Sequence, residues 1–271
     1  GKIVASQTIT ASSLSSAILP IKKMKTWSPE NPFLYDLEYK VIDKNGKVVD
    51  EVRSYTGMRK VHIEGNKIYL NNKPYYQRLV LDQGFYPDGI WTAPSDEALK
   101  HDIELSMAAG FNGARLHQKV FEERFYYWAD KMGYLTWGEA SSWGMDCNDT
   151  ETARNFITEW SEIVQRDRNH PSVFMWSIGN EVLEQWQHAD ADTLSLEAAN
   201  LILNAGHPVD DEILSDTAMS VQGLIAHSLA AIVKRLDKTR PVTAANNEAT
   251  PGNLIFRSNA LDVLGLSLIH I

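Results

Sequence analysis

The sequence predicts an α/β chain: an incomplete TIM (β/α)8 barrel preceded by part of a β-sandwich. Three observations carry this reading. From Gly57 onward, short apolar runs alternate with helical periods, the pattern of βα units around a parallel sheet. No Gly-rich phosphate loop follows the first of these strands, which argues against a doubly wound sheet. Before Gly57 the texture is β alone, and the stretch is too short for the roughly seven strands of a whole sandwich. The expected division is therefore 1–57, the C-terminal part of a sandwich, and 58–271, the barrel.

Each element has a local reason. Leu37, Tyr39 and Val41 alternate with Glu38 and Lys40, a second strand returns over 48–55, and Asn45-Gly46 between them predicts a type I′ hairpin turn. Residues 76–81 read as the first barrel strand. Pro94-Ser95-Asp96-Glu97 opens a helix, with Ser95 as N-cap and two acids facing the positive end of the helix dipole. Gly110 ends that helix. Residues 111–116 form a second strand, 120–132 a helix stopped by Gly133, and 134–138 a third strand. A helix over 150–168 places Phe156, Ile157, Trp160 and Val164 on one face. The fourth strand spans 173–179, helical stretches follow near 194–204 and 220–236, and 241–245 and 261–267 supply the fifth and sixth strands. Closure needs eight strands, so the chain reads as stopping two βα units short.

Bulk properties exclude several classes. A formal charge of -9 and a pI near 5.4 argue against nucleic acid and anionic membranes, because phosphate binding needs clustered Lys and Arg. No apolar run approaches the length of a membrane span. The single Cys147 excludes an internal disulfide and leaves the compartment open. Gly1 begins a Ser/Thr-rich segment with no basic n-region, so no signal peptide is visible, and the missing start Met suggests lost upstream sequence. There is no zincin spacing, Cys cluster or G-x-S-x-G elbow, and the eight His are scattered. No metal or organic cofactor is expected.

The most telling stretch is Ser177-Ile178-Gly179-Asn180-Glu181, which follows Arg168-Asn169-His170-Pro171-Ser172-Val173-Phe174-Met175-Trp176. An apolar strand delivers an Asn-Glu pair to its C-terminal end, where barrel enzymes place catalytic groups. An acid there needs a reason, since acids are rarely buried unless paired or functional. The stretch resembles the acid/base signature of family 2 glycoside hydrolases, the β-galactosidase and β-glucuronidase group. Trp27-Ser28-Pro29-Glu30-Asn31-Pro32-Phe33-Leu34-Tyr35 resembles the W-S-P-E-N-P-x-L-Y segment of the immunoglobulin-like domain that precedes the barrel in that family. Gly57-Met58-Arg59 resembles its G-F-R junction, and Tyr69-Leu70-Asn71-Asn72-Lys73-Pro74 its L-N-G-K-P turn. The likeness covers nearly the whole chain.

This resemblance implies retaining hydrolysis of β-linked sugars by two carboxyl groups roughly 5 Å apart. Glu181, after the fourth strand, would be the acid/base. The nucleophile would follow a seventh strand that the chain is not expected to contain, so the fragment alone is expected to be a poor catalyst. β-Galactosides come first as substrates, because Glu181-Val182-Leu183-Glu184-Gln185-Trp186 and Arg240-Pro241-Val242-Thr243-Ala244 look like β-galactosidase-type members. Upstream of Asn169 the likeness is to another branch. A β-glucuronidase or β-mannosidase is the alternative within the class, and a non-catalytic carbohydrate-binding remnant the alternative outside it. The full-length parent could be a homo-oligomer.

Several of the remaining candidates carry two readings. Asn180 would contact the sugar 2-hydroxyl, or bond the backbone at a strand end. Arg115 corresponds to the Arg of the family's R-x-S-H segment and would hydrogen-bond the nucleophile. Here the run is Arg115-Leu116-His117-Gln118, with the His one position early, so His117 is either a substrate contact or a core residue. Glu139, after the third strand, contributes to the site in relatives, sometimes through a metal, or else pairs structurally with Arg115. Trp143, Trp137 and Trp176 could include a sugar-stacking platform or belong to the core. Asp82 and Gln83 stand where relatives often have Arg-His, which puts sugar contacts there in doubt. Asn246, Asn247 and Glu248 follow the fifth strand as further candidates.

Overall fold

A computed structural model describes residues 1–13, 15–142, 150–181, 221–246 and 253–266. The chain opens with an antiparallel hairpin, β1 (Tyr35–Ile42) and β2 (Val48–Thr56). Its turn corrects the type I′ expectation. The Asp43 carbonyl accepts from Gly46 N–H at 3.0 Å, and Asp43 Oδ1 accepts from the backbone N–H groups of Asn45 and Lys47 at 2.8 and 2.9 Å. Only Gly46 has a positive φ (+80), so Asn45 never enters the left-handed region. An Asx-stabilised turn followed by one left-handed glycine has replaced the two-residue turn, and the register shifts beside it, between Val41 and Ile42.

A second small sheet follows that sequence reading missed: β3 (Val61–Glu64), β4 (Lys67–Leu70) and β5 (Lys73–Pro74), antiparallel throughout. Then come six parallel strands in sequence order: β6 (Leu79–Asp82), β7 (Gly113–Leu116), β8 (Leu135–Glu139), β9 (Val173–Asn180), β10 (Val242–Asn246) and β11 (Val263–Leu266). Helices α1 (Asp96–Ala108), α2 (Glu123–Met132), α3 (Thr150–Asp167), α4 (Val221–Leu236) and α5 (Leu254–Arg257) lie between them. All six predicted strands are present, the first starting three residues late. The helix expected near 194–204 lies outside the described residues.

Local signals act as read. Ser95 Oγ accepts from Ala98 N–H at 3.2 Å and caps α1. Gly133 is left-handed at the end of α2, and its N–H reaches Ala129 O at 3.0 Å. A Cβ on Gly133 would stand 2.3 Å from Pro29 O, in the segment that threads beneath the barrel. We expect Gly133→Ala to cost about 2 kcal/mol or more, combining left-handed strain with that collision. A urea titration followed by tryptophan fluorescence reads the loss, and an unchanged midpoint would refute the packing argument. In α3, Phe156, Ile163 and Val164 are buried with Trp160, whereas Ile157 is 37% exposed. The buried stripe therefore runs through Ile163 and leaves out Ile157, which the sequence had placed on it.

Side chains alternate across the sheet. Ala114, Leu116, Trp176, Ile178, Val242 and Ala244 face the helices in the larger core. Leu79, Leu135, Trp137, Met175 and Val263 belong to a second core with Trp27, Val61 and Leu70. Trp27 and the β3–β5 sheet thus plug the N-terminal end of the barrel. Polar contacts seal the joint around Asp130, which is fully buried. Trp27 Nε1 donates to Asp130 O at 2.8 Å, and Tyr55 Oη to Asp130 Oδ2 at 2.8 Å. His170 Nδ1 lies 2.6 Å from the same oxygen, and Ser172 N–H donates to Oδ1 at 2.8 Å. Arg59, from the Gly57-Met58-Arg59 junction, donates to Pro171 O and Val173 O at 2.9 and 2.6 Å. With the lower end filled, the polar side chains collect at the C-terminal end.

Candidate active site

Three adjacent strand ends supply the polar cluster. Arg115 in β7 points inward, level with Leu81 of β6 and Trp137 of β8. Its guanidinium grips Glu139, Nε to Oε2 at 2.8 Å and Nη2 to Oε1 at 3.1 Å. Nη2 also donates to Asn180 Oδ1 at the end of β9. Arg115, Glu139 and Asn180 are all buried. A bidentate Arg–carboxylate pair is strong and directional, so Arg115 sets the amide plane of Asn180 through a rigid fork. Gln118, left-handed at φ +54, turns its N–H onto Glu139 Oε1 at 3.0 Å. Ser141 Oγ donates to Gln118 O at 2.9 Å, and Asn180 N–H to Ser142 Oγ at 3.4 Å.

Glu181 follows directly, half-buried, with a left-handed backbone at φ +46. Its N–H donates to Ala245 O at 2.7 Å, where the β9–β10 register slips between Thr243 and Ala245. A non-glycine residue held there costs on the order of 1–2 kcal/mol, and such outliers cluster at functional positions. The strain turns Glu181 out of the strand's regular alternation at the barrel mouth.

His117 sits beside the cluster, its N–H bonded to Asp82 O at 2.8 Å and its Nδ1 3.0 Å from Gln83 Nε2. Burial holds the imidazole below the usual histidine range. The Glu139 and Glu181 charges and a bond with Asn180 oppose that shift, and the Arg115 charge adds to it. Asp82, facing away from the cluster, accepts from Gly84 N–H at 2.8 Å, and burial raises its carboxyl above the ordinary range against that bond.

The structure thus brings Arg115, His117, Glu139, Asn180 and Glu181 together. Trp143 lies outside the described residues, as do Asn247 and Glu248. Trp176 cannot stack on a sugar: it is fully buried on the helix side, edge-to-face with Trp160 at 5.7 Å, with Nε1 on Asp237 Oδ2 at 2.9 Å. Trp137 packs in the inner core and bonds Gln77. Asn246 is buried, its amide donating to Ala244 O and Gly265 O at 3.0 and 3.3 Å, which ties strand ends together. Sequence reasoning missed the part of Gln118, Ser141 and Ser142. The only available signal was their nearness to Arg115 and Glu139 in the chain. Of the two readings of Glu139, the structure shows the pairing with Arg115, which together with the Gln118 N–H bonds both of its oxygens. Among the described residues no group of three or more His, Cys, Asp or Glu could hold a metal ion. Among them, too, no helix is long and apolar enough to cross a membrane.

Residues 61–264 match the family model described as glycosyl hydrolases family 2, TIM barrel domain, and residues 1–59 match the one described as glycosyl hydrolases family 2. The beta-galactosidase BoGH2A of Bacteroides ovatus is 38% identical over 255 residues, covering 91% of this chain and 29% of its own length. The chain therefore spans less than a third of the length of that curated relative. Among solved structures, a family 2 glycosyl hydrolase from Bacteroides cellulosilyticus is 27% identical with a TM-score of 0.65, over 92% of this chain and 29% of that one. Bacteroides uniformis beta-glucuronidase 2, covalently bound to cyclophellitol-6-carboxylate aziridine, is 25% identical with a TM-score of 0.72, over 93% of this chain and 28% of that one.

Proposed function

Because this chain belongs to glycosyl hydrolase family 2, we propose that it forms part of a retaining β-glycosidase with β-galactosides as its substrate class and Glu181 as acid/base. The proposed parts are residues 1–57, the remnant of an immunoglobulin-like sandwich, and 58–271, the catalytic domain. One observation carries the reading: Asn180 and Glu181 end the fourth barrel strand, and Arg115 and Glu139 lock Asn180 in place. Glu181 gives its proton to the glycosidic oxygen as the bond to the anomeric carbon breaks. A second carboxylate of the parent enzyme takes that carbon and forms a glycosyl ester. Glu181 then draws a proton from water, which releases the sugar with its configuration retained. Asn180 faces the 2-hydroxyl, where a hydrogen bond strengthens in the transition state. His117 lines the sugar pocket as a neutral imidazole. The galactoside preference follows the Bacteroides ovatus β-galactosidase; the likeness to a β-glucuronidase supports β-glucuronides as the second reading. The acidic charge favours a carbohydrate over nucleic acid or an anionic membrane.

The test uses the full-length protein carrying this chain. Glu181→Ala should lower kcat/KM on nitrophenyl β-galactoside by about 10²–10⁴-fold, and by less on a dinitrophenyl glycoside whose leaving group needs no proton. Azide should restore turnover and yield the β-glycosyl azide. Unchanged turnover, or an α-azide, refutes the assignment. Running nitrophenyl β-glucuronide in parallel decides between the two sugars.

A further inference from the structure

The loop between β6 and α1 is more tightly determined than a connection requires. Gly84 is left-handed, and Tyr86 and Ile90 exchange backbone hydrogen bonds at 2.8 and 3.0 Å. Thr92 N–H donates to Gly89 O at 2.9 Å, and a Cβ on Gly89 would fall 1.9 Å from Thr92 O. Ile90 is left-handed at φ +57, a true outlier for a β-branched side chain. Tyr86 Oη donates to Asp102 at 2.6 Å. The loop is also riveted from beneath. Lys119, only 7% exposed, donates to Gly84 O and Trp91 O at 3.1 and 2.8 Å, lies 3.5 Å from Glu122, and sits 4.8 Å from the Phe121 ring centroid. Burying an ammonium to hold two loop carbonyls is expensive, and backbone strain persists only where its surroundings enforce it.

On this braced loop Phe85 and Trp91 pair with ring centroids 5.8 Å apart, yet both stay open to solvent, at 58% and 51% exposed. The loop leaves the C-terminal end of a barrel strand, and its first residue, Gln83, touches His117 of the polar cluster. Asp88 and Thr92, on the same loop, are exposed as well. Exposed rings with polar neighbours suit the apolar face of a sugar.

Resting on the proposed glycosidase reading, we propose that Phe85 and Trp91, on the Lys119-riveted loop, bind the sugar unit adjacent to the one cleaved. Lys119 is then a positioning residue that acts through the loop.

Calorimetric titration of the full-length Glu181→Gln protein with galactose and β-1,4-linked galactotetraose tests this. The tetrasaccharide should bind about tenfold tighter or more, and the added variant Phe85→Ala/Trp91→Ala should lose that gain. Trp91→Leu, which keeps apolar volume, should lose part of it. Lys119→Met should reduce the gain and speed amide exchange over 84–92 about tenfold, whereas a residue uninvolved in the loop leaves exchange untouched. No chain-length gain in the parent protein, or a gain that survives Phe85→Ala/Trp91→Ala, overturns the proposal. Chain-length-dependent binding by a protein that hydrolyses no β-glycoside would sink the catalytic reading and leave the platform standing.

Discussion

Arg115→Ala is expected to destabilise the chain by about 3–5 kcal/mol, because it leaves the buried Glu139 carboxylate without its cation. Asn180 loses the same partner, so its amide is no longer held beside Glu181. In the full-length protein, glycoside turnover should fall with it, beyond the loss of folded protein. The energetics of buried ion pairs supply the control. Removing both charges at constant bulk, as in Arg115→Met/Glu139→Leu, should recover most of the stability, since replacing a buried pair by apolar groups is often neutral or better. Activity should stay lost, because Asn180 remains unheld. Urea unfolding of the single and double variants separates the two effects. A single-variant loss below about 1 kcal/mol would mean that water reaches the pair and that the cluster is not rigid.

The second large effect is expected at the other end of the barrel. Asp130→Ala strands three donors at once, from Tyr55, His170 and Ser172, in a joint where Asp130 is fully buried. A loss of about 3–5 kcal/mol follows from breaking a buried charged network. Tyr55→Phe, which removes one donor and leaves the carboxylate two others, should cost about 1.5–3 kcal/mol. Burial, together with the Asp130 charge and its hydrogen bond, pushes the Tyr55 hydroxyl above the ordinary tyrosine range, so it stays a donor. The hairpin should also loosen before the barrel does, since Tyr55 and Arg59 tie it to residues 130–173. Limited proteolysis should then cut near 43–57 in Asp130→Ala and spare the parent chain. Equal cutting in both would show that apolar packing under Trp27 is enough to hold the joint.

Much of this was legible in the chain. Strand and helix order followed from hydrophobic period and from Ser95, Gly110 and Gly133, because these signals act within a few residues. The hairpin was legible too, but not its turn. Asp43 outcompeted the Asn45-Gly46 pattern through two backbone bonds that only its rotamer in the folded turn reveals. Ile157 and Ile163 both lie near the apolar stripe of α3, and packing in the larger core, where α3 meets α4, chose the second. Trp176 looked available for stacking, yet strand alternation sends it to the helices.

By itself the sequence determined the parallel βα order, the family to which the chain belongs, and the placing of Asn180-Glu181 at a strand end. Those properties depend on local periodicity and on a contiguous motif. Only the tertiary structure decided that Arg115 grips Glu139 as well as Asn180, that Gln118 completes the carboxylate, and that Lys119 rivets the first βα loop. These pairings join residues on different strands and loops. The register between parallel strands, which no local signal encodes, sets which side chains share a level in the barrel and so which charges meet.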